Sequence, residues 1–296
     1  MIKTSKLTLE NTVFAIIVFT VCVTICFMMA YPFYYLIIYS ISDPSKVTPG
    51  VMFLPRGINF NAYIDVFNEP KIPRALLISI IRVCTGPLIM LTVTSMAAFT
   101  MSKRNLMWHK FISRYIIFTM YISAGLIPYY QLIYSLGLPR TFFVYIIPGM
   151  MDVFCFILIR TFIENIPPAM EESAMIDGSG YFNTYLRVVI PMCKPIIATV
   201  ALFSIVGHWN AYVDTLFYNA ADSRLHSLSY VLMQYLMSNS VAFETIQREG
   251  VDRVVQPNLQ MIRMAITTIT MLPIMMAYPA LQKYFVKGIM IGAIKG

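Results

Sequence analysis

The sequence predicts an all-α, polytopic membrane protein with six transmembrane helices, and three observations carry that expectation. Of 296 residues, 58% are hydrophobic and only 12% charged, against roughly 45–50% apolar and about 25% charged in soluble chains. Six mostly apolar segments approach or exceed the about 20 residues that carry a helix across a bilayer. None of them shows the period-two alternation over about 10 residues that marks a barrel strand.

The first segment, about Val13 to Tyr39, follows Lys3 and Lys6 as a signal peptide would. Its apolar run exceeds the about 7–15 residues of a signal core, and Met28-Met29-Ala30 is a poor cleavage site, so it is expected to remain as a span. The second, about Ala75 to Phe99, contains Arg82 and Pro87. Arg82 is expected to snorkel to the nearby interface, with a partner contact as the other reading, and Pro87 is a kink candidate. The third runs from about Tyr115 to Tyr134, where Tyr129, Tyr130 and Gln131 fit an aromatic belt. The fourth, about Thr141 to Ile159, holds Asp152 in mid-span. The fifth, about Pro195 to Phe217, carries His208, Trp209, Asn210, Tyr212 and Asp214, and the sixth runs from about Met264 to Gln282.

Lysine and arginine in short loops set the orientation. Lys3 and Lys6, then Lys103, Arg104, Lys110 and Arg114, then Lys283, Lys287 and Lys295 fall on one side, which is expected to be cytoplasmic and to hold both termini. The net charge of +8 thus reflects topology, and no nucleic-acid partner is expected. The opposite side carries two longer loops, residues 42–74, rich in proline, and residues 222–258, a charged surface.

Catalytic classes are poorly supported. The chain has no Gly-Lys-Ser/Thr phosphate loop, its three histidines lie far apart, and its five cysteines form no CxxC pair, so neither nucleotide hydrolysis nor a metal site is expected. Gly178-Ser179-Gly180 lacks the third glycine and the strand of a dinucleotide fingerprint and reads as a turn.

Polar residues inside spans usually face a bundle interior or a cavity. Trp209, Asn210, Tyr212, Asp214 and Asp152 are therefore candidates for a substrate pathway, since aromatic faces and planar hydrogen-bonding groups suit a sugar. Interhelical hydrogen bonds or an interfacial belt account for them equally, and Asp152 fits a structural pairing.

Between the fourth and fifth spans, residues 166–194 form a polar island, and Pro167 and Pro168 suit a helix start. Glu171 and Glu172 suit the positive end of that helix, and Asp177-Gly178 stops it after about Ile176. A second helix is expected from about Tyr181 to Val189, ending before Pro191. Residues 167–180 contain Glu171, Glu172 and Asp177 with no basic residue. A helix resting on lipid is normally rich in Lys and Arg, so a protein partner with a basic groove explains the acidic face better than a membrane surface.

The spacing within the island is specific. Glu172-Ser173-Ala174 is followed by three residues, Gly178, nine residues, Val188, one residue and Ile190-Pro191. This resembles the EAA loop of permease subunits in type I ABC importers, with Ser173 in place of an alanine. The six spans, the Pro-Pro pair, Trp209-Asn210 and the tail from Phe285 to Gly296 resemble the carbohydrate-uptake branch, specifically the maltose-permease-type second subunit of oligosaccharide and alginate-type importers. The resemblance implies a heterodimer with a homologous permease, two ATPase subunits that bind ATP and Mg, an extracytoplasmic binding protein and a bacterial inner-membrane location. This chain itself would bind no cofactor. Met170, Glu171, Glu172, Ser173, Ala174, Met175, Asp177 and Gly178 would form the ATPase contact, with Glu172 pairing a basic residue there and the methionines filling apolar pockets. Gly288, Gly292 and Gly296 recur every four residues; a frayed end or an ATPase contact both fit. The alternative to an ATP-driven importer is a secondary transporter or channel not coupled to ATP.

Overall fold

Residues 9–47, 53–237 and 260–276 are described by the structure, a computed structural model. They form α1 (Leu9–Ser40), α2 (Asn61–Asn68), α3 (Lys71–Ser102), α4 (His109–Tyr121), α5 (Leu126–Ser135), α6 (Val153–Glu164), α7 (Pro168–Ile176), α8 (Tyr181–Met192), α9 (Lys194–Asn210), α10 (Leu228–Met237) and α11 (Gln260–Met276). No strand occurs among them. They divide into two units: residues up to Asn68 with Gln260 to Met271, and residues from Glu69 to Met237 with Leu272 to Met276.

In the first unit, α1 is long and apolar enough to cross a membrane from Thr12 to Ser40, and most of its side chains are exposed. Apolar exposure along a whole helix is what a lipid-facing span requires. Beyond it, Asp43 caps the short turn Pro44–Lys46 by accepting from the Ser45 amide, and the Ser40 and Tyr63 hydroxyls meet at 2.7 Å, fastening α2 to the end of α1.

The second unit is organised around α3. Its inward stripe is Ala75, Ser79, Arg82, Gly86, Met90, Thr94 and Ala98, all buried. Small residues at helical spacing let neighbouring backbones approach, and α6 and α9 pack along this stripe. The core there joins Met90, Ala98 and Phe99 of α3 with Phe156, Ile159 and Ile163 of α6, Tyr185 and Val189 of α8, and Val200 of α9.

The apolar segments are more broken than hydropathy implies. The first two expected spans are carried by α1 and α3, and α3 continues through Pro87 without a break. The third, expected over 115–134, is α4 and α5 bent by 117° at Ile122 to Gly125, where Gly125 has φ +81°. The fourth, expected over 141–159, consists of tight turns over Phe142–Gly149 and then α6, bent by 46°. The fifth, expected over 195–217, is α9 to Asn210; the chain then leaves the helix and forms a π turn over Thr215–Asn219. The sixth lies on α11, with residues 277–282 outside the described region, as are the tail glycines and residues 238–258 of the 222–258 loop.

Candidate functional site

The acidic island folds as a helix, a tight reversal and a helix. Pro168 occupies the first position of α7, where a missing N–H costs nothing. The Ser179 amide donates to the Ala174 carbonyl at 2.9 Å and the Gly178 amide to Met175 at 3.0 Å. Gly178, at φ +81°, is the left-handed residue that this double closure needs. The expected end before Pro191 is corrected: α8 runs through Pro191 to Met192. A π turn over Tyr185–Val189, closed by the Ile190 amide on the Tyr185 carbonyl, widens the helix ahead of the proline ring.

No side chain of α7 is buried; Met170 and Met175 are 47% and 38% exposed, and Ile176 is 86% exposed. The two glutamates part company. Glu171 is ion-paired with Lys103, the C-cap of α3, whose ammonium also lies 4.4 Å above the Phe99 ring. Glu172 is exposed and in no ion pair among the described residues. Ser173 turns its hydroxyl back to the Ala169 carbonyl, Ala174 is half-buried, and Asp177 is exposed at the helix end. Beside α7 a cleft of about 880 Å³ is lined by Lys103, Arg104, Glu164, Glu171, Glu172 and Tyr181, among others. From the reversal, α8 leads back into the bundle: the Tyr185 hydroxyl meets Ser95 of α3 at 2.7 Å, and its ring packs 5.4 Å from Phe99.

A second site surrounds the break after α9. Leaving the helix at Ala211 frees backbone carbonyls, which within a membrane must find partners in the protein. Ser229 donates to the Trp209 carbonyl at 2.6 Å, and Ser227 and Arg82 both donate to Ala211. The expectation that Arg82 snorkels is corrected: it is 3% exposed. Both ends of its guanidinium grip Asp214, and the Arg82 Nε donates to His208 Nδ1 at 3.3 Å. That contact assigns the His208 proton to Nε2. The Tyr145 ring stacks 4.6 Å from the guanidinium carbon. Gly86 makes room for the imidazole, since a Cβ there would sit 2.5 Å from it.

Asp152 is likewise not in the middle of a helix. It is the N-cap of α6, accepting from the Cys155 amide at 2.7 Å. Asp152, Asp214, Arg82 and His208 share a cavity of about 380 Å³ with Tyr129, Tyr145, Phe203 and Tyr218. Of the five pathway candidates, Asp152 and Asp214 reach this cavity. Trp209 is buried at 5% exposure outside its lining, and Asn210 and Tyr212 are exposed. Gly86, Tyr145 and Tyr218 are participants the sequence did not single out; an arginine and an aspartate in separate apolar segments were the available signal.

No family model matches the chain. It is similar to the protein LplC of Bacillus subtilis (strain 168), with 34% identity over 90% of this chain and 89% of that one. It is also similar to the polygalacturonan/rhamnogalacturonan transport system permease protein YtcP of the same organism, 28% identical over 97% of this chain and all of that one. Among solved structures, a chain of a bacterial ABC transporter involved in the import of the acidic polysaccharide alginate superposes with a TM-score of 0.84. It is 26% identical, and the match covers 95% of this chain and 100% of that chain.

Proposed function

The chain belongs to the permease subunits of ABC carbohydrate importers, and on that premise we propose that it is one half of a heterodimeric permease for an oligosaccharide in a bacterial inner membrane. It is an integral membrane protein of that family. A homologous permease completes the pathway, an extracytoplasmic binding protein delivers the sugar, and two ATPase subunits bind ATP with Mg and hydrolyse it. In this reading the chemistry of ATP hydrolysis belongs to those ATPase subunits and not to this chain. The relatives named above favour this reading over an ATP-independent transporter or channel.

The observation that carries the coupling role is the form of the acidic island. Its spaced motif folds into an exposed helix, α7, closed at Gly178 and joined through α8 to the core of α3. An exposed helix with adaptable methionines and one unpaired glutamate is what a cleft in an ATPase subunit would receive. Closure of two ATPases on ATP then shifts the permease between inward- and outward-facing states. In this arrangement Glu172 faces the partner, while Glu171 holds α7 to α3.

Glu172→Lys and Gly178→Asp should each abolish uptake while the chain still reaches the membrane fraction with its partner permease. Uptake at the unmodified rate by either variant would refute the coupling role.

A further inference from the structure

The cavity beside the broken helix has the means to choose between charged and uncharged sugars. Its volume of about 380 Å³ lies within the roughly 300–1,000 Å³ of ligand sites. The described residues that line it include one arginine and two aspartates, and the arginine is not available to a ligand. Arg82 is 3% exposed, grips Asp214 with both ends of its guanidinium, donates to the Ala211 carbonyl and to His208, and has its face covered by Tyr145. His208 adds no cation, because the nitrogen that accepts from Arg82 carries no proton.

The anionic side of the balance is better presented. Asp152 accepts the Cys155 amide through one oxygen, at a helix end whose dipole favours negative charge. Asp214 keeps 23% of its side chain exposed. A uronate carried here would bring a carboxylate into a poorly screened space facing Asp152, which no cation pairs, with Asp214 already matched by Arg82 and no free cation among the described residues, and like charges placed so repel. An uncharged glycosyl unit meets carboxylate acceptors for its hydroxyls and the rings of Tyr129 and Tyr218 for its apolar faces.

We infer that this cavity is a subsite for an uncharged glycosyl unit and rejects uronates, an inference that rests on the importer reading above. Binding is measured by calorimetry on the detergent-purified complex of this chain, its partner permease and the ATPases. The binding protein is omitted so that its own preference does not enter, and the probes are raffinose and trigalacturonate. Raffinose should bind at least about tenfold more tightly, the factor that 1.4 kcal/mol carries. Asp152→Asn keeps an oxygen for the Cys155 amide while removing the charge, and should narrow that ratio.

Trigalacturonate binding as tightly as raffinose, a ratio unmoved by Asp152→Asn, or no binding of either sugar would overturn the subsite. The importer reading is judged separately in the same preparation. It fails if adding the loaded binding protein leaves ATP hydrolysis unstimulated.

Discussion

Replacing Arg82 by leucine would leave Asp214 without its partner beside a helix break, and the cost can be set against the geometry. Removing one member of a buried ion pair costs about 3–5 kcal/mol, because the other charge stays uncompensated. Asp214 retains 23% side-chain exposure, which places Arg82→Leu near the lower end, at about 3 kcal/mol. Asp214→Leu strands a guanidinium that is 3% exposed and should cost more, about 4–5 kcal/mol. The double leucine variant removes both charges. An apolar pair in place of a buried ion pair is often neutral, so the remaining loss is the contacts to Ala211 and Thr215, about 1–2 kcal/mol. The double variant should therefore be more stable than either single one, with a coupling of about 5–7 kcal/mol on these figures. Reversible unfolding of the detergent-solubilised chain by increasing SDS fraction measures all four proteins. Additive single effects, within about 0.5 kcal/mol, would refute the clamp. So would losses near the roughly 0.6 kcal/mol typical of one hydrogen bond between membrane helices.

Two further outcomes test the packing around these sites. Gly86→Ala gains up to about 1 kcal/mol of helix propensity but drives a Cβ to 2.5 Å from the His208 ring, so it should destabilise in the same assay and stabilise once His208→Ala has emptied the space; destabilisation in both backgrounds would refute the steric account. Lys103→Glu and Glu171→Lys should each cut binding-protein-stimulated ATP hydrolysis about fivefold, the factor carried by roughly 1 kcal/mol, and the combined exchange should recover most of it; no recovery would show that the pair does not position α7.

Much of the architecture is written locally. The ends of α1 and α3 lie within a few residues of the apolar runs, because lipid demands unbroken hydrophobicity there. The island was equally legible: proline at its start, Asp177-Gly178 at the reversal and a fixed spacing are all short-range signals. The break after α9 was not. The stretch Trp209-Asn210-Ala211-Tyr212 contains neither glycine nor proline, and what satisfies its backbone comes from Ser227, Ser229 and Arg82. A hydropathy window averages over such a break. Arg82 misleads for the same reason, since a charge near the end of an apolar run reads as snorkelling until its distant partner Asp214 is known. Pro191 reads as a stop because the π turn that accommodates it has no sequence signal of its own.

The Arg82–Asp214 contact also sets a schedule for making the protein. The two residues lie 132 positions apart, so at about 5–20 residues per second of synthesis the arginine enters the membrane some 7–26 s before the aspartate exists. For that interval the nascent α3 must hold an unmatched guanidinium, which translocation scales price at about 2.5–3.5 kcal/mol at mid-bilayer. Its neighbours in the mostly apolar run from about Ala75 to Phe99 are what keep the helix inserted meanwhile. The bundle therefore closes late, when ribosomal delivery of α9 and the following turn brings the counter-charge, and a chain cut off before Asp214 would leave quality-control proteases a membrane segment marked by its unanswered charge.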